Sequence, residues 1–291
     1  MPEITDISSG GTSKQEAEEA DHLWRFLVYG NPGVGKTHFA CSMPGPVMFL
    51  DTEGKGNAIF DKFEKEIVYW APDNYDELTN ALAEAIDTLD AVFAGEVDGF
   101  EAGTRGTIVV DSMALVWEWA QQKYVSMAYP GKDVDDIEFQ SALQGGRESD
   151  WKAIKRLHNE EFRERMLGTE YHICWTATSS EDYGAVLSGE ADEPPMKPNG
   201  EKNNVYKCSE LVHIFEGDQG RPMGNLKKSA LTKIKFGRMA WPDFPKVSSA
   251  IETLHDAETA DEKVHLDDLE RELNVDLFTG DPDIVYRQGG E

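Results

Sequence analysis

Gly30-Asn31-Pro32-Gly33-Val34-Gly35-Lys36-Thr37 fits the pattern G-x-x-x-x-G-K-[ST], with His38 directly after it. Residue types in this order suit a polyphosphate. Glycines let successive backbone N–H groups turn inward around phosphate oxygens, and a helix starting there adds its positive end. Lys36 in this pattern reaches the β- and γ-phosphates, while the Thr37 hydroxyl ligates Mg²⁺. The strand-like run 23–29 precedes the loop and a helix-like run follows from residue 38, which is the setting the pattern requires; a chance glycine turn lacks both. The chain is expected to bind a nucleoside triphosphate. With no Asn-Lys-x-Asp motif to read guanine, the expected nucleotide is ATP, with Mg²⁺.

Two further acidic positions bear on what happens to that nucleotide. Thr107-Ile108-Val109-Val110-Asp111-Ser112 is an apolar run ending in a carboxylate, placed to hold a metal-bound water beside the loop or, alternatively, to cap a following helix. Val47-Met48-Phe49-Leu50-Asp51-Thr52-Glu53-Gly54 is a second apolar run that feeds into two carboxylates. If these two strands are neighbours, Glu53 lies over the γ-phosphate, where it orients and deprotonates the attacking water. The other reading of Glu53 is an acid at a helix N-terminus. Asp51 is expected to serve the strand end.

The elements that must position these groups are legible as alternating patterns. Runs 23–29, 47–51, 67–70, 107–111 and 172–178 are apolar on both faces, as strands of a buried parallel sheet are. Helical patterns lie between them at 37–42, 75–93, 114–127 and 150–167. Strand and helix in alternation predict an α/β fold with a mostly parallel central sheet flanked by helices. Segments 205–216 and 229–236 read as later β-rich stretches, and 179–204 as a loop of a length that is usually functional or disordered. Residues 1–21 are expected to form a mobile arm, 22–254 the core, and 255–291 an acidic tail with a short helix at 266–273.

From this order of motifs the chain resembles RecA-type recombinase core ATPases of the P-loop NTPase superfamily, most closely the phage and archaeal-virus RecA-core proteins of single-strand annealing. Phe49–Gly54 and Ile108–Ser112 resemble the catalytic-glutamate and Walker B segments, and the likeness spans residues 23–245. It implies a homo-oligomer, ring or filament, that works on single-stranded DNA in recombination or replication, with a single-strand-binding protein as a further partner. It implies a phosphate-sensing position at Thr178, where such proteins usually carry glutamine; a polar strand end is the other reading. It also implies that Lys235 and Arg238 reach a neighbouring subunit's nucleotide as cationic fingers, although lysines on an edge strand also serve to deter aggregation. The segment 179–238 corresponds to the DNA-contacting region and carries Lys197, Lys202, Lys207, Arg221, Lys227, Lys228, Lys233, Lys235 and Arg238. Tyr183 and Tyr206 stack on bases in this reading or pack beside strands in the other. The loop 130–146 corresponds to a second DNA loop but holds Asp133, Asp135, Asp136 and Glu138. Other assignments of the same core are a helicase, a helicase loader, a packaging motor, or a module that holds nucleotide without turning it over.

Composition sets the bounds on all of these. The 291 residues carry a formal charge of −27, spread over nearly every expected element. On its face that argues against a polyanionic partner. A halophilic host offers a different account, because at about 1 M salt the Debye length falls to about 3 Å and local contacts decide binding. Cys41, Cys174 and Cys208 form no C-x-x-C pair and read as reduced thiols, and the histidines form no metal-ligand cluster. Trp117, Trp119, Trp151 and Trp175 fall in expected core elements and read as packing. No apolar run approaches the roughly 20 residues of a membrane span, so the expected location is the cytoplasm, that of the host cell for a viral protein.

Overall fold

Alternate residues of β1 (Arg25–Tyr29) face opposite ways, and both directions lead into core. Phe26 and Val28 join one apolar cluster while Leu27 and Tyr29 join another. That is why the run shows no polar alternation. A computed structural model describes residues 22–139, 149–183, 187, 195–260 and 265–278. The expected arm at 1–21, part of each long loop and the end of the tail lie outside the described residues.

Along the chain, β1 leads through the glycine loop into α1 (Lys36–Ser42), β2 (Val47–Asp51), β3 (Ile67–Trp70) and α2 (Tyr75–Phe93). Then come β4 (Thr107–Asp111), α3 (Met113–Ala128) and α4 (Asp150–Arg156), which runs through a π-helical stretch, Leu157–Arg163, into α5 (Glu164–Leu167). Next are β5 (His172–Ala177), β6 (Ser179–Glu181), β7 (Met196–Pro198), α6 (Asn204–Lys207), β8 (Glu210–Glu216) and β9 (Pro222–Lys228). The chain closes with β10 (Lys235–Gly237), β11 (Met239–Ala240), α7 (Phe244–Thr259), α8 (Leu266–Leu273) and β12 (Asp276–Phe278).

The main sheet has the order β11-β9-β8-β1-β5-β4-β2-β3. From β8 to β3 every pairing is parallel; β9 and β11 are antiparallel additions at one edge. This is the expected α/β architecture, with late antiparallel strands. One face buries Phe39, Val247, Ile251 and Leu254 of α1 and α7 against Phe26, Phe49, Val109 and Val212. The other buries Leu78, Leu82, Val116, Ile154 and Phe162 against Met48, Leu50, Ile108, Val110 and Trp175. Trp117 stacks on Trp151 with centroids 6.2 Å apart, within the packing expected of the tryptophans.

Three segments differ from the sequence expectation. Asn204–Lys207 is a helical turn, so the strand expected from 205 starts at Glu210. The stretch 229–236 is mostly not a strand. Ser229 Oγ accepts from the amides of Leu231 and Thr232, and Glu258 Oε1 accepts from those of Lys233 and Ile234. Side chains there take the bonds a ladder would have used. The strand beside β8 is instead β9, whose proline, glycine and lysines hid it. Residue 254 lies inside α7, which Asp243 starts by accepting from the Lys246 amide at 3.0 Å. Leu266, Leu269, Val275 and Leu277 pack into the same core, so residues 265–277 are anchored despite their charge.

His158 gives the fold a pH dependence. Its ring is fully buried with Nε2 3.3 Å from Asn204 Oδ1, and burial pushes its pKa down to about 4. Unfolded, it would titrate near 6.5. Between those values the unfolded chain binds the extra proton, so stability is complete above about pH 6.5 and falls as pH drops toward 4. We expect His158→Gln to flatten this slope, sparing about 2 kcal/mol of the loss between pH 7 and pH 5, read from urea unfolding midpoints.

Candidate nucleotide site

The glycine loop leaves β1 at Tyr29 and is tied at once to β5, with the Gly30 amide 3.2 Å from Ala177 O. A side chain at Gly30 would collide with Ile214 O, only 1.9 Å from an added Cβ, so β8 passes too close for any other residue. Gly33 and Gly35 have φ of +83° and +103°, and an added Cβ at either would meet nothing within 4 Å. Open space over a left-handed turn is what a phosphate cradle needs.

Lys36 and Thr37 begin α1. The Lys36 ammonium lies 3.0 Å from both Gly30 O and Asn31 O, curled against its own loop. Burial pulls its pKa down, while the Asp111 and Glu53 charges pull it back up. Thr37 Oγ1 donates to Asp111 Oδ2 at 2.7 Å, and Thr176 Oγ1 donates to Asp111 Oδ1. Asp111 therefore reaches Thr37 across the one intervening strand β5, which holds its other oxygen through Thr176. Burial raises its pKa, the Thr176 and Thr37 hydrogen bonds lower it, and the Glu53 and Asp51 charges raise it again.

Strands β2 and β4 are neighbours, with Asp51 opposite Asp111. Beyond them the chains are laced together: the Thr52 amide donates to Asp111 O at 2.7 Å and the Ser112 amide to Thr52 Oγ1 at 2.7 Å. Asp51 then builds the turn that carries Glu53. Its Oδ1 accepts from the Glu53 and Gly54 amides at 3.0 and 2.8 Å, and its Oδ2 from the Gly56 amide at 2.6 Å and the Tyr69 hydroxyl at 3.1 Å. The Glu53 side chain is left exposed, with its charge felt by both Lys36 and Asp111.

The structure thus gathers Gly30 to Thr37, Glu53 and Asp111 at one end of the sheet. Thr178 follows β5 beside the loop, but its hydroxyl accepts from Asn199 Nδ2 at 2.9 Å, and Ser179 Oγ donates to Asn31 Oδ1 at 2.7 Å instead. His38 sits on the outer side of α1, against Phe63 with ring centroids 5.1 Å apart. Lys235 and Arg238 lie elsewhere, beside β9 at the antiparallel edge, both exposed. Arg238 Nη2 is 3.7 Å from Asp218. Tyr183 and Tyr206 are exposed. The three cysteines are buried free thiols. Sequence reasoning missed Thr176, Thr52 and Tyr69; only their place beside acidic strand ends distinguishes them from strand-forming residues.

A donor set of one hydroxyl and one buried carboxylate beside an ammonium and a left-handed glycine turn fits a magnesium–nucleotide. Thr37 and Asp111 are the groups that would face the metal, and Lys36 the phosphates. Among the described residues no cluster of three or more His, Cys, Asp or Glu forms a separate metal site. No described helix is long and apolar enough to cross a membrane.

A family profile described as AAA domain (AAA_24) matches residues 22–212, the stretch that holds every group just described at the sheet end. No curated protein sequence is similar to the chain. Among solved structures it is similar to a KaiC-like protein, PH0186, from the hyperthermophilic archaeon Pyrococcus horikoshii OT3. Identity there is 14%, over 75% of this chain and 88% of that one, with a TM-score of 0.41.

Asp51 is the test of how the site is built. Asp51→Asn keeps the shape but puts an NH₂ where an acceptor is needed by two donors. It should cost about 1–3 kcal/mol of stability and slow nucleotide turnover while leaving nucleotide affinity little changed. Thermal unfolding, equilibrium binding of a fluorescent ATP analogue and phosphate release, measured on the same preparation, check the three parts.

Proposed function

The chain belongs to the AAA_24 family of AAA domains, a P-loop NTPase core, and from that premise we propose that it is a Mg²⁺-dependent ATPase that acts on single-stranded DNA. The observation that carries the ATPase part is the convergence of Lys36, Thr37, Asp111 and Glu53 from three separate segments onto one sheet end. Lys36 holds the phosphates and draws charge from the β–γ bridge. Thr37 and Asp111 hold the metal's side of the site. When bound, Mg²⁺ would offset negative charge on the phosphate oxygens as the bond breaks. Glu53, on a turn fixed by Asp51 and free of other hydrogen bonds among the described residues, orients the attacking water and takes its proton. Thr178 contributes through its backbone and its link to Asn199, next to the loop that would report nucleotide state.

The single-strand part is supported by charge distribution and by the resemblance of the motif order to recombinase cores. In a chain of net charge −27, cations gather after residue 196 on and around β7 to β10. In this reading the protein anneals or pairs strands during viral DNA recombination or replication, in the cytoplasm of a halophilic host. Lys235 and Arg238 lie at the sheet edge away from their own glycine loop, so any contact they make with nucleotide is to that of a neighbouring copy, in a ring or filament. A single-strand-binding protein is a further partner on the same reading.

ATP hydrolysis with and without single-stranded DNA, at low salt and at about 2–3 M KCl because salt sets the strength of phosphate contacts, separates the alternatives. DNA-stimulated turnover that Lys36→Ala abolishes is the expected outcome. Turnover indifferent to DNA at every salt concentration contradicts the single-strand reading and leaves an ATPase of another kind, and absent turnover with retained ATP binding leaves a nucleotide-holding module.

A further inference from the structure

Beside the glycine loop, at β8 and β9, the described residues leave one face of the sheet partly open, with Pro195 and Met196 at its side. On the face that α2, α3 and α4 cover farther along, β8 presents His213 and Phe215, and β9 presents Asn225 and Lys227. The opposite sides of the same strands, Val212, Ile214 and Leu226, are core. A cavity of about 520 Å³ opens there, walled by Tyr29, Met196, His213, Phe215, Asn225 and Lys227. Its rings form a row. Tyr29 and His213 stack with centroids 4.6 Å apart at 17°, and His213 and Phe215 follow at 5.5 Å and 31°. Tyr29 is buried, whereas His213 and Phe215 are half-exposed, so the row begins in the core and ends at the surface.

Two cations stand close enough at this spot to feel each other's charge. Neither Lys227 nor Lys235 makes an ion pair within 4.0 Å among the described residues. Lys227 is held below the ordinary lysine value by desolvation and then by the Lys235 charge. Burial pushes His213 down to about 4, so its ring is neutral at pH 7 and presents an aromatic face. Two unpaired cations beside a row of rings match an anionic strand that carries planar bases. Tyr29 also precedes Gly30 directly, so the buried end of this row sits one residue from the phosphate loop along β1.

We infer that the Tyr29–His213–Phe215 row with Lys227 is a base-stacking subsite for single-stranded DNA, in which Phe215 and His213 take an unstacked base and Lys227 a backbone phosphate. This rests on the single-strand reading above and names the surface that performs it. Occupancy at the end of β1 then bears on the glycine loop through Tyr29, which gives bound DNA a short covalent route to the ATP site.

Fluorescence anisotropy of the full chain with a labelled oligo-dT of about 20 nucleotides and with an abasic strand of equal length isolates stacking from charge. The wild type should prefer oligo-dT by roughly 5- to 100-fold, as loss of base stacking costs. Phe215→Leu keeps the apolar volume but should bring that preference near unity, and Phe215→Trp should restore it. Lys227→Gln should weaken both strands alike and reduce the salt slope by about one. Wild-type binding with the preference unchanged in Phe215→Leu overturns the subsite and leaves the single-strand reading standing. Failure of the wild type to bind either strand at any salt overturns both. An equal loss of fluorescent-ATP affinity in Phe215→Leu assigns the rings to the nucleotide's own base and also overturns it. Lowered thermal stability with unchanged DNA preference does so too, and leaves the rings a packing role.

Discussion

Parallel pairing of β2 with β4, which sets Asp51 opposite Asp111, is the constraint on which the nucleotide site depends. One strand end supplies the carboxylate that meets Thr37, and the other supplies the turn that presents Glu53. Neither could be placed by its own segment alone. A register slip of one residue in either strand would turn its carboxylate to the opposite face of the sheet from the other. Thr52 prevents it: its amide and hydroxyl bond the backbone of Asp111 and Ser112 just past the last paired residues. Asp51 is buried as a carboxylate because four donors converge on it, which is what makes burial of that charge tolerable.

Much of this was legible from residue order. The glycine loop announces itself by spacing, and the strands that flank it by apolar runs without alternation, because both their faces are buried. Asp111 and Glu53 were legible as carboxylates ending such runs. Thr176 was not, since a threonine in a strand is what β propensity alone would place there, and only its register one strand from Asp111 gives it a role. Asp51 could be read as a strand-end acid but not as the organiser of the Glu53 turn, because its partners are backbone amides that any sequence would supply. The late segments were misread for a related reason. Pro222-Met-Gly-Asn-Leu-Lys-Lys looks unlike a strand, yet the β8 edge pairs with its backbone regardless of side chain. By contrast α7 did leave a signal, in Asp243 ahead of Pro245 and buried residues at Val247, Ala250, Ile251 and Leu254.

On the proposed single-strand function, the sheet gives one acidic protein separate surfaces for two anions. Phosphate is met by backbone amides and one partly desolvated lysine at the centre of the sheet, and this needs no positive surface field. The antiparallel edge, where no described helix covers β8 and β9 on one side, carries lysines without carboxylate partners. Of these strands β8 adjoins β1 and β9 reaches it through β8, so the two surfaces lie on one sheet.

The most direct measurement of the central claim is the behaviour of Glu53→Gln with ATP and Mg²⁺, comparing equilibrium binding with single-turnover hydrolysis. Loss of a general base should leave Mg²⁺-dependent binding intact and cut hydrolysis by roughly 10²–10⁴-fold. Hydrolysis at the wild-type rate, with binding equally unchanged, would contradict the placement of Glu53 over the reacting phosphate and with it the role assigned to the β2–β4 pairing.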